Sequence, residues 1–303
     1  MLNIHFSNVN FSSSTGPNSF ASRLANEFST NNNINIVGEN DPYDIFLVFI
    51  EPSSIPREGC KVVHRLDGIW FKPEQFISHN QGIKWAYDNS HAVIWQSEFD
   101  KHMTEYHWGP KKGEVIHNGI NLSSIEVKDK EILKLKQRHD KMFVSSANWH
   151  RQKRLKENIE FFKKNSANDD CLIVMGNNPD YVVEDPRVYY TGSLSHDLCM
   201  QVYSAADWMI HLAWLDHCPN VVVEALSQNC PVICSSSGGT AEIVGDNGVI
   251  IYENKEYEYE LVDYDSPYPI STDKIYLPDI DVRCDYLDIR GIALKYISLF
   301  RGL

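Results

Sequence analysis

Short apolar runs alternate along this chain with stretches in which apolar residues recur at helical spacing. "MLNIHFS", "YDIFLVFI", "CKVVHRLDG" and "HAVIWQS" read as strands. After the first of them comes a polar, turn-rich loop, "SSSTGPNS". "FASRLANEF" then places Phe20, Leu24, Ala25 and Phe28 on one helical face. "EFDKHMTEYHW" reads as a helix, and "GEVIHNGIN" as a strand ending in an Asn118-Gly119 turn. A charged stretch, Glu126 to Lys141, reads as a linker helix or surface excursion. The alternation then resumes: strand "MFVSSA", loop "NWHRQK", helix "RLKENIEFFKK", strand "CLIVMG", strand "VYYTG", helix "LCMQVYSAA", strand "ADWMIHLA". Such an order predicts an α/β chain of two doubly wound halves, each a parallel sheet wrapped by helices. The expected domains are 1–140 and 141–285, with a closing helix over 286–303, interrupted by Gly291, packing back on the first. The Tyr-, Glu- and Asp-rich tail from Tyr252 to Pro278 reads as irregular or hairpin structure.

Composition narrows the function classes. The 303 residues, 43% hydrophobic, are enough for two sizeable cores. A net charge of −13 argues against a generic nucleic-acid binder. Seven cysteines are scattered without a Cys-x-x-Cys pair, which suits reduced thiols in a cytoplasmic setting. No signal peptide or membrane-spanning run is read, and peripheral membrane contact stays open. Oligomeric state is not legible.

The chemistry concentrates in "LDHCPNVVVEALSQNCPVICSSSGGTAEIV", Leu215 to Val244. Pro219 suits a first helical residue, Asn229 the position past the helix end, and "PVICSS" a buried strand. Asp216 falls in the loop before the helix and Glu224 inside it. Free N–H groups near Cys218, Asn220 and Val221 would suit an anion or hydroxyl, with a carboxylate on each side. Spacing alone also admits a plainer reading: Asp216 as loop residue or N-cap, Glu224 as a solvated helix residue. His117 and His211 read as core histidines.

This stretch resembles the E-x7-E signature of the family-4 retaining glycosyltransferases of the GT-B fold. Asp216 takes the first Glu position and Glu224 the second. Other stretches agree in order: "STGPNSFASRLA", "VIWQSEFDKHMTEYHWGPKKGEVIHNGIN", "VSSANWHRQKRLKENIEFF", "YYTGSLSHDLCMQVYSAADWMIHLA" and "SSSGGTAEIVGDNGVII". Asp216 is shorter than the usual Glu, Asn148 stands where the family has Arg, and the N-terminal half is short.

The resemblance implies two Rossmann-like domains facing across a cleft, the second binding a nucleotide-sugar donor such as a UDP- or GDP-sugar. No metal or other cofactor is implied, and the acceptor would be a glycan or lipid-linked hydroxyl. Lys153 matches the phosphate-binding lysine, with Arg151 or Arg154 as a second cation; a solvated helix start is the competing reading. Gly16, Gly238, Gly239 and Thr240 would approach the phosphates. Glu224 would hold the ribose, Asp216 the sugar, the amides at Cys218, Asn220 and Val221 its hydroxyls, and Asn177 and Leu194 the base. Asp67, with His64 nearby, matches the catalytic turn of the first half; an ordinary Asp-Gly turn competes. A sugar-nucleotide epimerase or hydrolase on the same fold, or a non-catalytic glycan- or nucleotide-binding protein, are the alternatives.

Overall fold

The computed structural model describes residues 1–13 and 15–303. In chain order the elements are β1 (Leu2–Ser7), α1 (Gly16–Ser29), β2 (Ile34–Ile36), β3 (Ile45–Phe49), β4 (Lys61–Leu66), α2 (Phe76–His79), α3 (Gln81–Asn89), β5 (Ala92–Trp95), α4 (Glu98–Trp108) and β6 (Gly113–Val115). There follow α5 (Lys130–Arg138), β7 (Met142–Ser146), α6 (Leu155–Asn165), β8 (Cys171–Met175), β9 (Val188–Gly192), α7 (His196–Ala205), β10 (Trp208–His211), α8 (Asn220–Ser227), β11 (Val232–Ser235), α9 (Thr240–Val244), β12 (Gly248–Ile251) and α10 (Ile289–Arg301).

These form two compact units. The first comprises Met1–Asn121, Glu258–Val262 and Tyr286–Leu303; the second comprises Leu122–Tyr257 and Asp263–Asp285. Helix α5, read from sequence as a link between halves, thus belongs to the second unit, where it packs on α7. Ser14 of the expected glycine loop lies outside the described residues.

In the first unit the sheet order is β2-β1-β3-β4-β5-β6, with every pairing parallel. Strands such as β3, buried at every residue, are apolar throughout because both sheet faces are covered. Helix α10 packs on α1, with Phe20, Phe28 and Tyr296 in one core cluster. It runs unbroken through Gly291. Gly119 lets the loop after β6 approach this helix, since a Cβ there would fall 2.8 Å from Ile292.

The second sheet, also parallel, runs β12-β11-β10-β7-β8-β9. Its direction of build reverses between β7 and β10. Ligands of such sheets bind beyond the carboxyl ends of the strands at that reversal. The loops that follow β7 and β10 are therefore where chemistry is expected.

Candidate active site

The loop after β7 is fixed from below by Trp149, whose indole N–H donates to the Met175 carbonyl at 3.0 Å. It then makes a 3-10 turn at Arg151–Lys153 and reverses at Arg154, φ 53°. Two bonds tie this turn to the loop after β10. The Trp214 amide donates to the Gln152 carbonyl at 2.8 Å, and the Gln152 side chain donates to the Leu215 carbonyl at 3.3 Å. The result brings Lys153 Nζ to within 2.5 Å of Asp216 Oδ2. His211, the last residue of β10, places Nε2 3.2 Å from the same oxygen.

Burial works against the Asp216 charge, but the Lys153 ammonium and the His211 bond outweigh it. The carboxyl is held well below the usual carboxylate range and stays ionised. Burial lowers the His211 pKa, against the raising effect of Asp216. Sequence reasoning missed this role for His211. An apolar strand context gives no hint of where the ring nitrogen points.

A third loop completes the surround. The Gly239 amide donates to the Asp216 carbonyl at 2.7 Å. Gly238 has φ 90°, and a Cβ there would meet Asp216 O at 2.6 Å, so this position requires glycine. Thr240 opens α9, fully buried, and its hydroxyl has no partner among the described residues.

Pro219 stands as the N-cap of α8 and not, as expected, inside its first turn. The Pro219 carbonyl already accepts from Val222 and Val223 while its ψ of 116° stays extended. Glu224 is buried and not solvated. His196 Nε2, at the start of α7, lies 3.4 Å from its Oε1; nothing in the sequence marked that histidine. Cys218 is buried, while Asn220 and Val221 are half-buried at the helix start. Asn177, exposed after β8, accepts from the Ser193 amide at 3.2 Å, which joins it to the loop that carries half-buried Leu194.

In the first unit Gly16 is the first residue of α1. Asp67 follows β4 and its carboxylate pairs with Arg65. Arg65 is fixed in turn by Asn118 at 2.6 Å and by the rings of Phe20 and Phe49. His64 is fully buried, with Nε2 2.7 Å from the Ile50 carbonyl. Burial lowers its pKa to about 4, so it is neutral.

Residues 138–263 match the family described as glycosyl transferases, group 1. That segment is a glycosyl transferase group 1 domain. A comparison with curated protein sequences gives no match. Among solved structures the chain is similar to Anabaena HepE in complex with UDP and glucose, at TM-score 0.68 and 16% identity over 100% of both chains. It is similar to the sucrose-phosphate synthase of Thermosynechococcus elongatus, at TM-score 0.67 and 13% identity over 100% of this chain and 99% of that one. A third, AviGT4, a glycosyltransferase involved in avilamycin A biosynthesis, gives 0.63 and 14% over 100% and 98%. The fold is GT-B.

Within the group 1 domain the two arginines beside Lys153 differ. Arg151 is exposed and free to meet an anion. Arg154 is buried and spent inside the protein, on Glu253 and two carbonyls, so it is not a phosphate ligand. Among the described residues no group of His, Cys, Asp or Glu is placed to hold a metal ion, and no helix is long and apolar enough to cross a membrane.

Proposed function

We propose that the chain is a retaining glycosyltransferase that moves a sugar from a nucleotide-sugar donor to a hydroxyl of a glycan or lipid-linked acceptor in the cytoplasm. The observation that carries this is the cluster at the sheet reversal of the group 1 domain: Lys153, Asp216 and the Gly238–Thr240 loop. UDP is preferred over GDP as the activating group because the similar HepE structures hold UDP and UDP-glucose.

On this reading the bond from the anomeric carbon to the leaving phosphate breaks, the electron pair goes to the phosphate, and a bond to the acceptor oxygen forms. Lys153 and Arg151, with the amides of the Gly238–Thr240 loop, meet the charge that develops on the phosphate, without a metal. The unpartnered Thr240 hydroxyl is a group that a bound oxygen would satisfy. Asp216 stays ionised beside the sugar, where positive charge develops. Glu224 takes the ribose hydroxyls, amides at Cys218, Asn220 and Val221 the sugar, and the Asn177 and Leu194 loops the base. Gly16 and Asp67 belong to the same reading as the first unit's residues.

Lys153 is satisfied by Asp216. A donor phosphate competes for that ammonium and leaves the Asp216 charge facing the sugar. The test is a thermal-shift screen against UDP, GDP and ADP, followed by transfer assays with labelled sugars of whichever base stabilises. Stabilisation by none of the three would overturn the reading. An epimerised or merely hydrolysed sugar would replace transfer with another reaction.

A further inference from the structure

Arg154 occupies the left-handed backbone region, φ 53° and ψ 47°, where glycine is the usual residue. Its side chain is 0% exposed. Nη1 donates to Glu253 Oε1 at 2.6 Å and Nη2 to Oε2 at 3.1 Å, a two-pronged pair. Nη1 also donates to the Leu212 carbonyl at 3.1 Å, and Nη2 to the Tyr268 carbonyl at 2.5 Å. Glu253, with a side chain 3% exposed, further accepts from Ser235 Oγ at 2.5 Å. One guanidinium thus joins the turn that carries Lys153, the loop that carries Asp216, the end of β11, and the tail.

The tail reads from sequence as irregular or hairpin structure, yet two of its residues, Glu253 and Tyr268, hold this network. Its rings also line the Asp216 loop: Trp214 lies 4.9 Å from the Tyr268 ring and 6.2 Å from Tyr257. A buried ion pair is weak support for stability, because desolvation offsets most of the attraction. What it fixes well is geometry. Lys153 and Asp216 come from loops 63 positions apart, and both loops end on Arg154.

We infer that Arg154 and Glu253 are positioning residues of the donor site, and that the tail through Tyr268 is a built part of that site. This rests on the donor-site reading above. Arg154 touches no reacting atom. It holds the left-handed turn that aims Lys153 and anchors the Asp216 loop at Leu212. A misplacement of about 1 Å at such a site costs about 100-fold in rate.

The test separates positioning from stability. Arg154→Met alone strands the Glu253 charge, so the informative protein is the double variant Arg154→Met/Glu253→Met, which removes both charges together. It is expected to melt near wild type, to lose about 100-fold in kcat, and to bind UDP more weakly by calorimetry. Lys153→Ala added to it should cost little more, since the lysine is already misaimed. Arg154→Lys, which keeps charge but loses the fork, should fold and fall between the two in rate. Wild-type kcat and UDP affinity in the double variant, or a full additive loss on adding Lys153→Ala, would overturn the inference. Failure of the wild-type protein to bind UDP at all would instead remove the donor-site reading beneath it.

Discussion

Each unit carries a histidine near the carboxyl end of a central strand and an aspartate in the loop that follows, and the two pairs have different surroundings. β4 holds His64 and is followed by Asp67; β10 ends on His211 and is followed by Asp216. Side-chain exposure of the two aspartates is nearly equal, 13% and 14%. Their cations differ. Arg65 is 1% exposed, held by Asn118 and two aromatic rings, and cannot leave. Lys153 is 19% exposed and arrives from another loop; on the proposed reading it exchanges its carboxylate for a phosphate. His64 turns to a carbonyl, whereas His211 turns to the aspartate. The same residue types at the same end of a parallel sheet thus pair with a cation from the same strand in one unit and with a cation from a different loop in the other.

Removing the cations should separate the pairs most sharply. Arg65→Met leaves Asp67 unpaired beside the core and is expected to lower unfolding free energy by about 3–5 kcal/mol in urea titration. Lys153→Ala, with His211 still bonded to Asp216, should lower the melting temperature less than Arg65→Met does and reduce transfer by about 100- to 1000-fold. If Lys153→Ala unfolds the protein as Arg65→Met does, the contrast fails.

The histidines give a pH signature. The unfolded state takes a proton on His64 below about pH 6.5, and the folded state only near 4. Stability should therefore be full at neutral pH and fall as pH drops from 6.5 to 4, by about 3 kcal/mol from this residue. His64→Gln should flatten that slope relative to wild type; an unchanged slope would show that His64 is not buried neutral. Asp216→Asn sharpens the other side. It should lower kcat by roughly 100-fold, about 2.7 kcal/mol, with donor affinity nearly kept, as expected for a charge that acts mainly in the transition state. Asp67→Asn should lower kcat by about tenfold as well as stability; lost stability with wild-type kcat would leave Asp67 only as the partner of Arg65. The smallest effect is expected for Glu224→Ala: about tenfold weaker donor binding, read as a KM increase. Wild-type kinetics there would return Glu224 to a packing role.

Local pattern carried the architecture because burial repeats along the chain with the period of the element that makes it. Strands β1, β3 to β11 and the helices α1, α4, α6, α7 and α8 were legible on that ground; the Gly-Gly loop and β12 were legible only through the family resemblance. Helix α3 was overlooked although Ile83, Ala86 and Tyr87 stand at helical spacing. The three-residue β2 was not legible, since it exists only through pairing with β1.

By itself the sequence determined two parallel α/β units and the loops at which chemistry could sit. Tertiary structure alone decided which charges meet. Lys153 finds Asp216 across 63 positions, and Arg154 finds Glu253 across 99. Three neighbouring cations, Arg151, Lys153 and Arg154, look alike in the sequence yet end exposed, half-buried and buried. Apolar periodicity is a property of neighbours along the chain. The partner of a charge is set by distance in space, and only the folded sheet order brings the loops after β7 and β10 side by side.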